Sequence, residues 1–163
     1  MIRGIASMKN GVMVAGEGRS IWVIGDRYTI KCSGNDTSGA YALLEAVVPP
    51  GAGPPHIHSR EDEAFYVLEG ELQFYVEGRS FMATSGAWVT LARGSVHFFK
   101  NTGAEPARML IVVTPAGLED FFLEIGREAV EEEAEPVAPT PEDIQKLIQT
   151  APKYGLEIRM PHS

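Results

Sequence analysis

Between Ser20 and Thr114 the chain is a succession of short β-branched or aromatic runs separated by Gly, Pro, Asn and Asp. Such closely spaced runs are typical of β-sandwiches and β-barrels. No long helical pattern separates consecutive runs, which disfavours parallel strands joined by helical crossovers. The sequence therefore predicts an all-β fold of antiparallel hairpins, with strands over Ile21 to Ile24, Arg27 to Ser33, Ala40 to Val48, Glu63 to Leu68, Glu71 to Val76, Arg79 to Ala83, Trp88 to Leu91, His97 to Lys100 and Arg108 to Val113.

Two helices are predicted beyond this region. The first covers Gly117 to about Glu128, because apolar residues recur there at helical spacing and would face the sheet, namely Leu118, Phe121, Phe122 and Ile125. The second begins where Thr140, as N-cap, precedes Pro141 at the first helical position, and it extends to about Ala151. The acidic, proline-containing segment between the two helices is expected to be a solvated linker.

Length and composition favour one compact domain. A chain of 163 residues is long enough to bury a substantial core. The predicted organisation is an N-terminal arm over 1–19, a β-barrel with its packed helix over 20–128, and the acidic linker with the C-terminal helix over 129–163. The single cysteine, Cys32, permits no internal disulfide and is expected to be a small core residue on a strand.

Charge and hydropathy limit the partners. The formal net charge of −8 disfavours nucleic acid, because phosphate backbones would be repelled. No apolar run approaches the roughly 18 residues of a membrane-spanning helix, and the N-terminal segment lacks the apolar centre of a secretory signal. A cytoplasmic protein that binds neither nucleic acid nor membranes is therefore expected. A homodimer is also expected, because the segment Ile21 to Ser33 could pair across a two-fold axis.

Four side chains in two segments form a candidate metal site. His56 and His58 point to the same face of an extended strand, because side chains at i and i+2 do so. Glu63 lies at an odd offset from His58, so a bend between them must return its carboxylate to that face. His97 follows 39 residues after His58, far enough for two hairpins to bring the chain back. Three imidazoles and one carboxylate suit one divalent transition metal ion (Fe, Mn, Ni, Co, Cu or Zn) better than Ca or Mg.

Other acidic and histidine side chains are less suited to this site. Glu61 and Asp62 lie beside Glu63 and compete for its role, but both are expected in a solvated turn. His162, close to the end of the sequence, is expected to be a surface or structural residue rather than a ligand.

The same residues match two sequence motifs of the cupin superfamily, G-(x)5-H-x-H-(x)3,4-E-(x)6-G and G-(x)5-P-x-G-(x)2-H-(x)3-N. The matching positions are His56, His58, Glu63 and Gly70 in the first motif, and Gly86, Gly94, His97 and Asn101 in the second. Two positions depart from the motifs: Gly51 stands one residue closer to His56 than the first asks, and Ala92 replaces the proline of the second. Neither departure removes a candidate ligand.

The chain thus resembles the cupins and, more loosely, the small cupins grouped with quercetin 2,3-dioxygenase. The resemblance implies a jelly-roll barrel, also described as a double-stranded β-helix, here followed by C-terminal helices. It also implies a centre of three histidines and one glutamate that binds a metal ion, a phenolic or enolisable substrate and O2. By that analogy Glu63 both holds the metal and serves as the base for a substrate hydroxyl.

Three functions stay open at this stage. The first is a metal-dependent dioxygenase of the quercetin 2,3-dioxygenase type, with Glu63 as its catalytic base. Phe65 and Phe99 share strand parity with Glu63 and His97, so they would bind the substrate or form ordinary barrel core. The second function is a metal-dependent isomerase or decarboxylase of a small oxygenated metabolite. The third is a non-catalytic cupin that binds a small molecule, because a shared fold does not transfer activity.

Overall fold

The computed structural model describes residues 10–130 and 136–160. Residues 1–9 of the predicted arm, residues 131–135 of the predicted linker, and His162 lie outside the described residues. The described strands are β1 (Arg19–Val23), β2 (Asp26–Cys32), β3 (Ala42–Val48), β4 (Gly51–Ala52), β5 (His56–His58), β6 (Asp62–Glu69), β7 (Glu71–Val76), β8 (Arg79–Thr84), β9 (Trp88–Leu91), β10 (His97–Asn101), β11 (Ala107–Thr114), β12 (Arg127–Glu128) and β13 (Leu156–Ile158). The described helices are α1 (Gly34–Thr37), α2 (Leu118–Ile125) and α3 (Pro141–Thr150), the last followed by a 3-10 turn over Ala151–Tyr154.

The strands form two antiparallel sheets. The larger sheet has the order β12-β1-β2-β3-β11-β6-β9, and the smaller has the order β13-β5-β10-β7-β8, with β4 added beside β10. Each of the nine predicted strands is present, and its ends differ from the prediction by no more than two residues. The all-β jelly roll with C-terminal helices is therefore confirmed, whereas the boundaries of the three predicted segments stay a prediction.

The core lies between the inner faces of the two sheets. Buried and accessible residues alternate along β3 and β11, as expected for strands with one face on the core. Phe65 on β6 and Phe74 on β7 join the two sheets, with ring centroids 5.2 Å apart in an edge-to-face arrangement. Both rings are almost completely buried. Cys32 is only partly buried at the end of β2, so it is not the core residue that the sequence suggested.

The two helices after the barrel form, but the first is shorter than predicted. It ends at Ile125, because Gly126 is extended and lies against Trp22 and Val23 of β1. A Cβ at Gly126 would also lie only 2.6 Å from the carbonyl oxygen of Phe122 in the helix. Arg127 and Glu128 then pair with β1 as β12 instead of continuing the helix. The helix α3 begins as predicted, since the Thr140 hydroxyl accepts a hydrogen bond from the backbone of Asp143 at 3.2 Å.

The sheet edges bear on the expected homodimer, which stays a prediction. The strand β2 is internal, and β12 already pairs with Ile21 and Trp22 of β1. Exposed large apolar side chains instead lie on β8, β9 and the outer face of β6, namely Phe81, Met82, Trp88 and Tyr66. In the described parts of the chain, no helix is long and apolar enough to cross a membrane.

Candidate metal centre

The four predicted ligands converge on one point between the two sheets. His56 and His58 come from β5, Glu63 from β6 and His97 from β10. One possible ligand atom of each residue lies within 4.8 Å of those of the other three. His58, Glu63 and His97 are buried, and His56 is partly accessible.

Strand pairing and a bend bring these segments together. His97 lies directly opposite His56 in the antiparallel pair of β10 and β5. The backbone bends after β5, which returns the Glu63 side chain to the site in the way the sequence required. Before β10, Gly94 adopts a φ of +85° and donates its backbone N–H to the carbonyl of His58 at 2.7 Å. Glycine adopts this left-handed conformation without steric cost, so this turn fixes His97 against β5.

The C-terminal strand β13 also holds β5, a contact that the sequence did not reveal. Leu156 pairs with His58 and Ile158 pairs with His56. The strand follows Gly155, whose φ is +74°. Any other residue at this position would place its Cβ only 2.6 Å from the hydroxyl oxygen of Ser59. Three residues after a glycine are too short for a periodic pattern, which is why sequence reasoning missed this strand.

Backbone carbonyls orient two of the imidazoles. Nδ1 of His56 lies 2.9 Å from the carbonyl oxygen of Pro54, and Nδ1 of His97 lies 3.0 Å from that of Ser95. Because a carbonyl can only accept, Nδ1 carries the proton in each ring and leaves the Nε2 lone pair for the site. Fixing the imidazole tautomer from behind in this way is common among metal-binding histidines.

Glu61 lies behind the third imidazole, contrary to the expectation of a solvated turn. The Glu61 side chain is buried, and its Oε2 lies 3.4 Å from Nδ1 of His58. Asp62 is the residue that faces solvent, where it pairs with Arg93. The sequence could not show which of these two adjacent acidic residues is buried, because the bend at the end of β5 turns Glu61 inward and Asp62 outward.

The charges of the site favour an ionised carboxylate. Burial alone would raise the pKa of Glu63, but the charges and hydrogen bonds of His58 and His97 hold that pKa well below its ordinary value. Burial would lower the pKa of His58, yet the Glu63 charge and the adjacent carboxylates raise it to about 9. Burial lowers the pKa of His56 to about 4, assisted by the two neighbouring imidazoles. The site thus combines the Glu63 anion with three imidazoles, of which at least that of His56 is neutral.

The residues present fit a transition-metal ion. Oε2 of Glu63 lies 2.9 Å from Nε2 of His97 and 3.1 Å from Nε2 of His58. Neither ring nitrogen of the buried His58 has a hydrogen bond of good geometry among the described residues. Ligand atoms on one ion with bonds of ~2.1 Å are at most about 4.2 Å apart, and the four here lie within 4.8 Å of one another, so small shifts would accommodate one. A buried nitrogen that lacks a partner and a mixed N/O donor set are what such an ion would satisfy.

The centre opens into a cavity of ≈ 90 Å³ whose walls are mostly apolar. Phe65 and Phe99, the predicted substrate-binding residues, both line it, as does Phe98. Residues beyond the barrel close the cavity, namely Phe121 and Phe122 of α2, Leu147 of α3, and Leu156 and Ile158 of β13. The predicted helices therefore contribute walls to the cavity, which their apolar spacing alone did not indicate.

Two further polar residues line the cavity and were not singled out in the sequence. Asp26 and Tyr28 lie on β2, and the Tyr28 hydroxyl donates to Oδ2 of Asp26 at 3.3 Å. The i, i+2 spacing of Asp26 and Tyr28 placed both on one face of the strand. Nothing in the sequence indicated that this face would meet the histidines.

An antiparallel jelly roll with three histidines and a glutamate between its sheets is the arrangement that the two cupin motifs predict. Residues 44–113 match the family described as the cupin domain. This match confirms the resemblance to small cupins inferred from the two motifs.

Curated relatives share parts of this sequence. A quercetin 2,3-dioxygenase of Bacillus subtilis is 22% identical over 151 residues, which cover 92% of this chain and 44% of that protein. The germin-like protein subfamily 2 member 2 of Arabidopsis thaliana is 43% identical over 67 residues, which cover 38% of this chain and 31% of that protein. A protein of Aquifex aeolicus is 36% identical over 62 residues, which cover 38% of this chain and 50% of its own length. The chain spans half or less of each of these relatives.

Solved structures share the fold. KdgF from a Halomonas species superposes with a TM-score of 0.61 and 17% identity, over 69% of this chain and 99% of that one. A predicted oxalate decarboxylase from Thermotoga maritima gives a TM-score of 0.60 and 22% identity, over 64% of this chain and 99% of that one. At such identities these likenesses establish the jelly roll alone.

Proposed function

We propose that the protein is a metal-dependent dioxygenase that acts on a small enolisable or phenolic molecule. His56, His58, Glu63 and His97 would hold one divalent transition metal ion, and Phe65 and Phe99 would contact the substrate. The observation that carries the proposal is the buried Glu63 carboxylate, which lies between His58 and His97 in the wall of an apolar cavity. The alignment with a quercetin 2,3-dioxygenase over 92% of this chain supports it.

The metal would act as a Lewis acid that lowers the pKa of a substrate hydroxyl. The residues of the chain supply the rest of the chemistry. Glu63 Oε2 would accept the hydroxyl proton, because it is the carboxylate oxygen that lies beside two imidazoles in the buried site. The apolar walls exclude water and hold the carbon skeleton. Both atoms of O2 enter the products, so the reaction requires no external reductant.

Cavity size favours substrates smaller than a flavonoid. A cavity of ~150 Å³ in another protein accommodates benzene, whereas the cavity here measures ≈ 90 Å³. A compact enolisable substrate of a few heavy atoms fits this space, whereas a phenolic ring and, still more, a three-ring substrate would require α2, α3 or β13 to move. This observation also favours a second candidate function, a metal-dependent decarboxylase or isomerase of a small oxygenated metabolite.

Oxygen uptake distinguishes the two functions. The full-length protein would be loaded separately with Fe, Mn, Co, Ni and Cu and mixed with small 1,2-diketones, hydroxyketones, catechol and a flavonol, with and without air. Dioxygenase activity predicts oxygen uptake equal to substrate loss and, from ¹⁸O₂, both labelled atoms in the products. Substrate loss at the same rate without air would contradict the dioxygenase and support the decarboxylase or isomerase. The Glu71→Gln variant, which changes an exposed carboxylate on β7, is the control for loading.

A further inference from the structure

The cavity has a second polar position besides the metal centre. Asp26 and Tyr28 line the same space as the four candidate ligands, while the surrounding walls are apolar, including Phe65, Phe99, Ile111, Phe121, Leu147 and Leu156. Polar groups are rarely placed in an apolar cavity without a partner, because losing water costs free energy that a hydrogen bond must offset. The proposed chemistry at Glu63 does not use this Asp26–Tyr28 pair.

The chain holds the pair in a fixed geometry. The Tyr28 ring stacks on Phe122 of α2, with centroids 4.7 Å apart and planes inclined by 9°. Tyr28 is 6% exposed, so its hydroxyl has little freedom beyond its contact with Asp26. Asp26 follows a two-residue turn in which Ile24 has a φ of +48°, a conformation that costs a β-branched side chain energy. The surrounding structure thus keeps Asp26 at the cavity wall despite a strained turn.

Electrostatics links the pair to the metal end of the cavity. Burial raises the pKa of Asp26 to about 7, and the hydrogen bond from Tyr28 opposes only part of that rise. Burial also raises the pKa of Tyr28, with further contributions from the charges of Asp26 and Glu63. A phenol beside a carboxyl that is readily protonated can both donate to and accept from an oxygen of a ligand.

We propose that Asp26 and Tyr28 form a second ligand-binding site, which holds a second hydroxyl or carbonyl oxygen of the substrate, apart from the one directed to the metal. The substrate class is then a compact molecule with two oxygen functions separated by a short apolar spacer, one directed to the metal and one to Asp26 and Tyr28. This inference rests on the proposed function for the first anchor only. A methyl group in place of that second oxygen would bury the remaining hydrogen-bonding capacity of the carboxyl and the phenol without a partner, a loss of roughly 5- to 100-fold in affinity.

Matched ligand pairs test the site. The probes are 3-hydroxypropanoate, 4-hydroxybutanoate and 5-hydroxypentanoate, each compared with the alkanoate in which methyl replaces the hydroxyl. Their dissociation constants would be measured on the full-length cobalt-loaded protein from changes in the Co(II) absorption spectrum. The wild type is expected to prefer the hydroxylated member of at least one pair by about fivefold or more.

Two variants assign that preference to the pair. Tyr28→Phe keeps the stacked ring and removes the hydroxyl, and Asp26→Leu removes the carboxyl while keeping the branched shape of the side chain. Both are expected to bring the ratio of the two dissociation constants close to one, while the alkanoates bind at least as well as before. Tyr66→Phe, on the outer face of β6, is the matched control and should retain the preference. Circular dichroism and cobalt content confirm that each variant is folded and loaded.

The outcomes separate this inference from the proposed function. Wild-type protein without a preference in any pair overturns the second site, and so does a preference that Tyr28→Phe retains, since chelation at the metal would then explain it. If the protein takes up no cobalt, the proposed metal chemistry fails. The same pairs are then compared by thermal shift on metal-free protein, where a hydroxyl-dependent stabilisation lost in Tyr28→Phe supports the second site and its absence overturns it.

Discussion

Glu63 and Asp26 are two carboxyl groups that line one cavity but differ in electrostatic environment. Glu63 lies within 3.1 Å of two imidazoles, which hold its pKa well below the ordinary value despite burial. Asp26 contacts the neutral phenol of Tyr28, so burial prevails and raises its pKa to about 7. Glu63 is therefore an anion suited to a cation, and Asp26 is a carboxyl that can carry a proton and is suited to a substrate oxygen. Groups whose environments separate their pKa values in this way suggest distinct acid and base roles.

The two ends also differ in how the chain builds them. Glu63 on β6 of the larger sheet meets its imidazoles from β5 and β10 of the smaller sheet, so the metal end depends on packing the sheets together. The other end uses two residues of a single strand, Asp26 and Tyr28 of β2. Perturbing the metal end should therefore affect metal and catalysis, and perturbing the other end should affect ligand choice and the pH dependence of stability.

The largest effect is expected for Glu63→Gln. Glutamine keeps an oxygen donor but cannot accept a proton, so turnover of the substrate identified by the oxygen assay should fall by roughly 10²- to 10⁴-fold. Metal content should fall less than turnover. Steady-state kinetics and elemental analysis of the same preparation measure both quantities. A proportional loss of the two would remove the support for Glu63 as the base.

His58→Ala is expected to weaken metal binding by more than about 100-fold, because it deletes a buried imidazole that the ion would contact directly. Competition with a chelator at constant pH measures the affinity. Occupancy equal to that of the wild type would contradict the ligand assignment, and Glu71→Gln serves as the control with unchanged affinity.

Glu61→Gln should weaken metal binding by about 10- to 100-fold, the usual cost of losing the group that orients a ligating histidine. Oε2 of Glu61 lies behind Nδ1 of His58, and a glutamine amide directs a weaker acceptor or a competing donor to that nitrogen. The same chelator titration applies. An unchanged affinity would show that His58 is oriented by its strand alone.

The sequence could predict the metal end because its signals are local and chemically specific. The metal ligands are predicted from residue types that bind metals, namely the H-x-H pair, the glutamate and the histidine of the second segment. Strand parity shows which of these side chains share a face, and turn glycines mark the hairpins between them. The role of Glu61 was missed because a bend, rather than a residue type, decided which of three adjacent acidic side chains turned inward. Neither the place of Asp26 and Tyr28 in the cavity wall nor the pairing of β13 with β5 could be predicted. Both depend on contacts between segments far apart in the sequence, and none of these residues has a distinctive local pattern.

Asp26→Asn should change the pH dependence of stability rather than metal binding. The folded pKa of Asp26 is about 7 against an ordinary value of 3.8, so the native state binds more protons than the unfolded state between these values. The stabilising contribution is complete below about pH 4 and is lost as the pH rises through 7. Asparagine cannot ionise, so the thermal midpoint of the variant minus that of the wild type should increase by a few degrees from pH 5 to pH 8. A constant difference would contradict the raised pKa.

The smallest effect is expected for Asp62→Asn. This variant tests whether an acidic residue that is close to the centre in sequence but exposed to solvent contributes to metal binding. Hydrogen bonds from Arg93 lower the pKa of Asp62 to about 2, but both side chains are about half exposed, so solvent screens their attraction. The thermal midpoint and the metal affinity should stay within error of the wild type, although Asp62 is adjacent to both Glu61 and Glu63. A loss of affinity as large as that of Glu61→Gln would mean that the clamp between Asp62 and the backbone of Arg93, at 2.8 Å, positions His97. The metal end would then depend on its solvent-facing loop as well as on the contacts between its buried side chains.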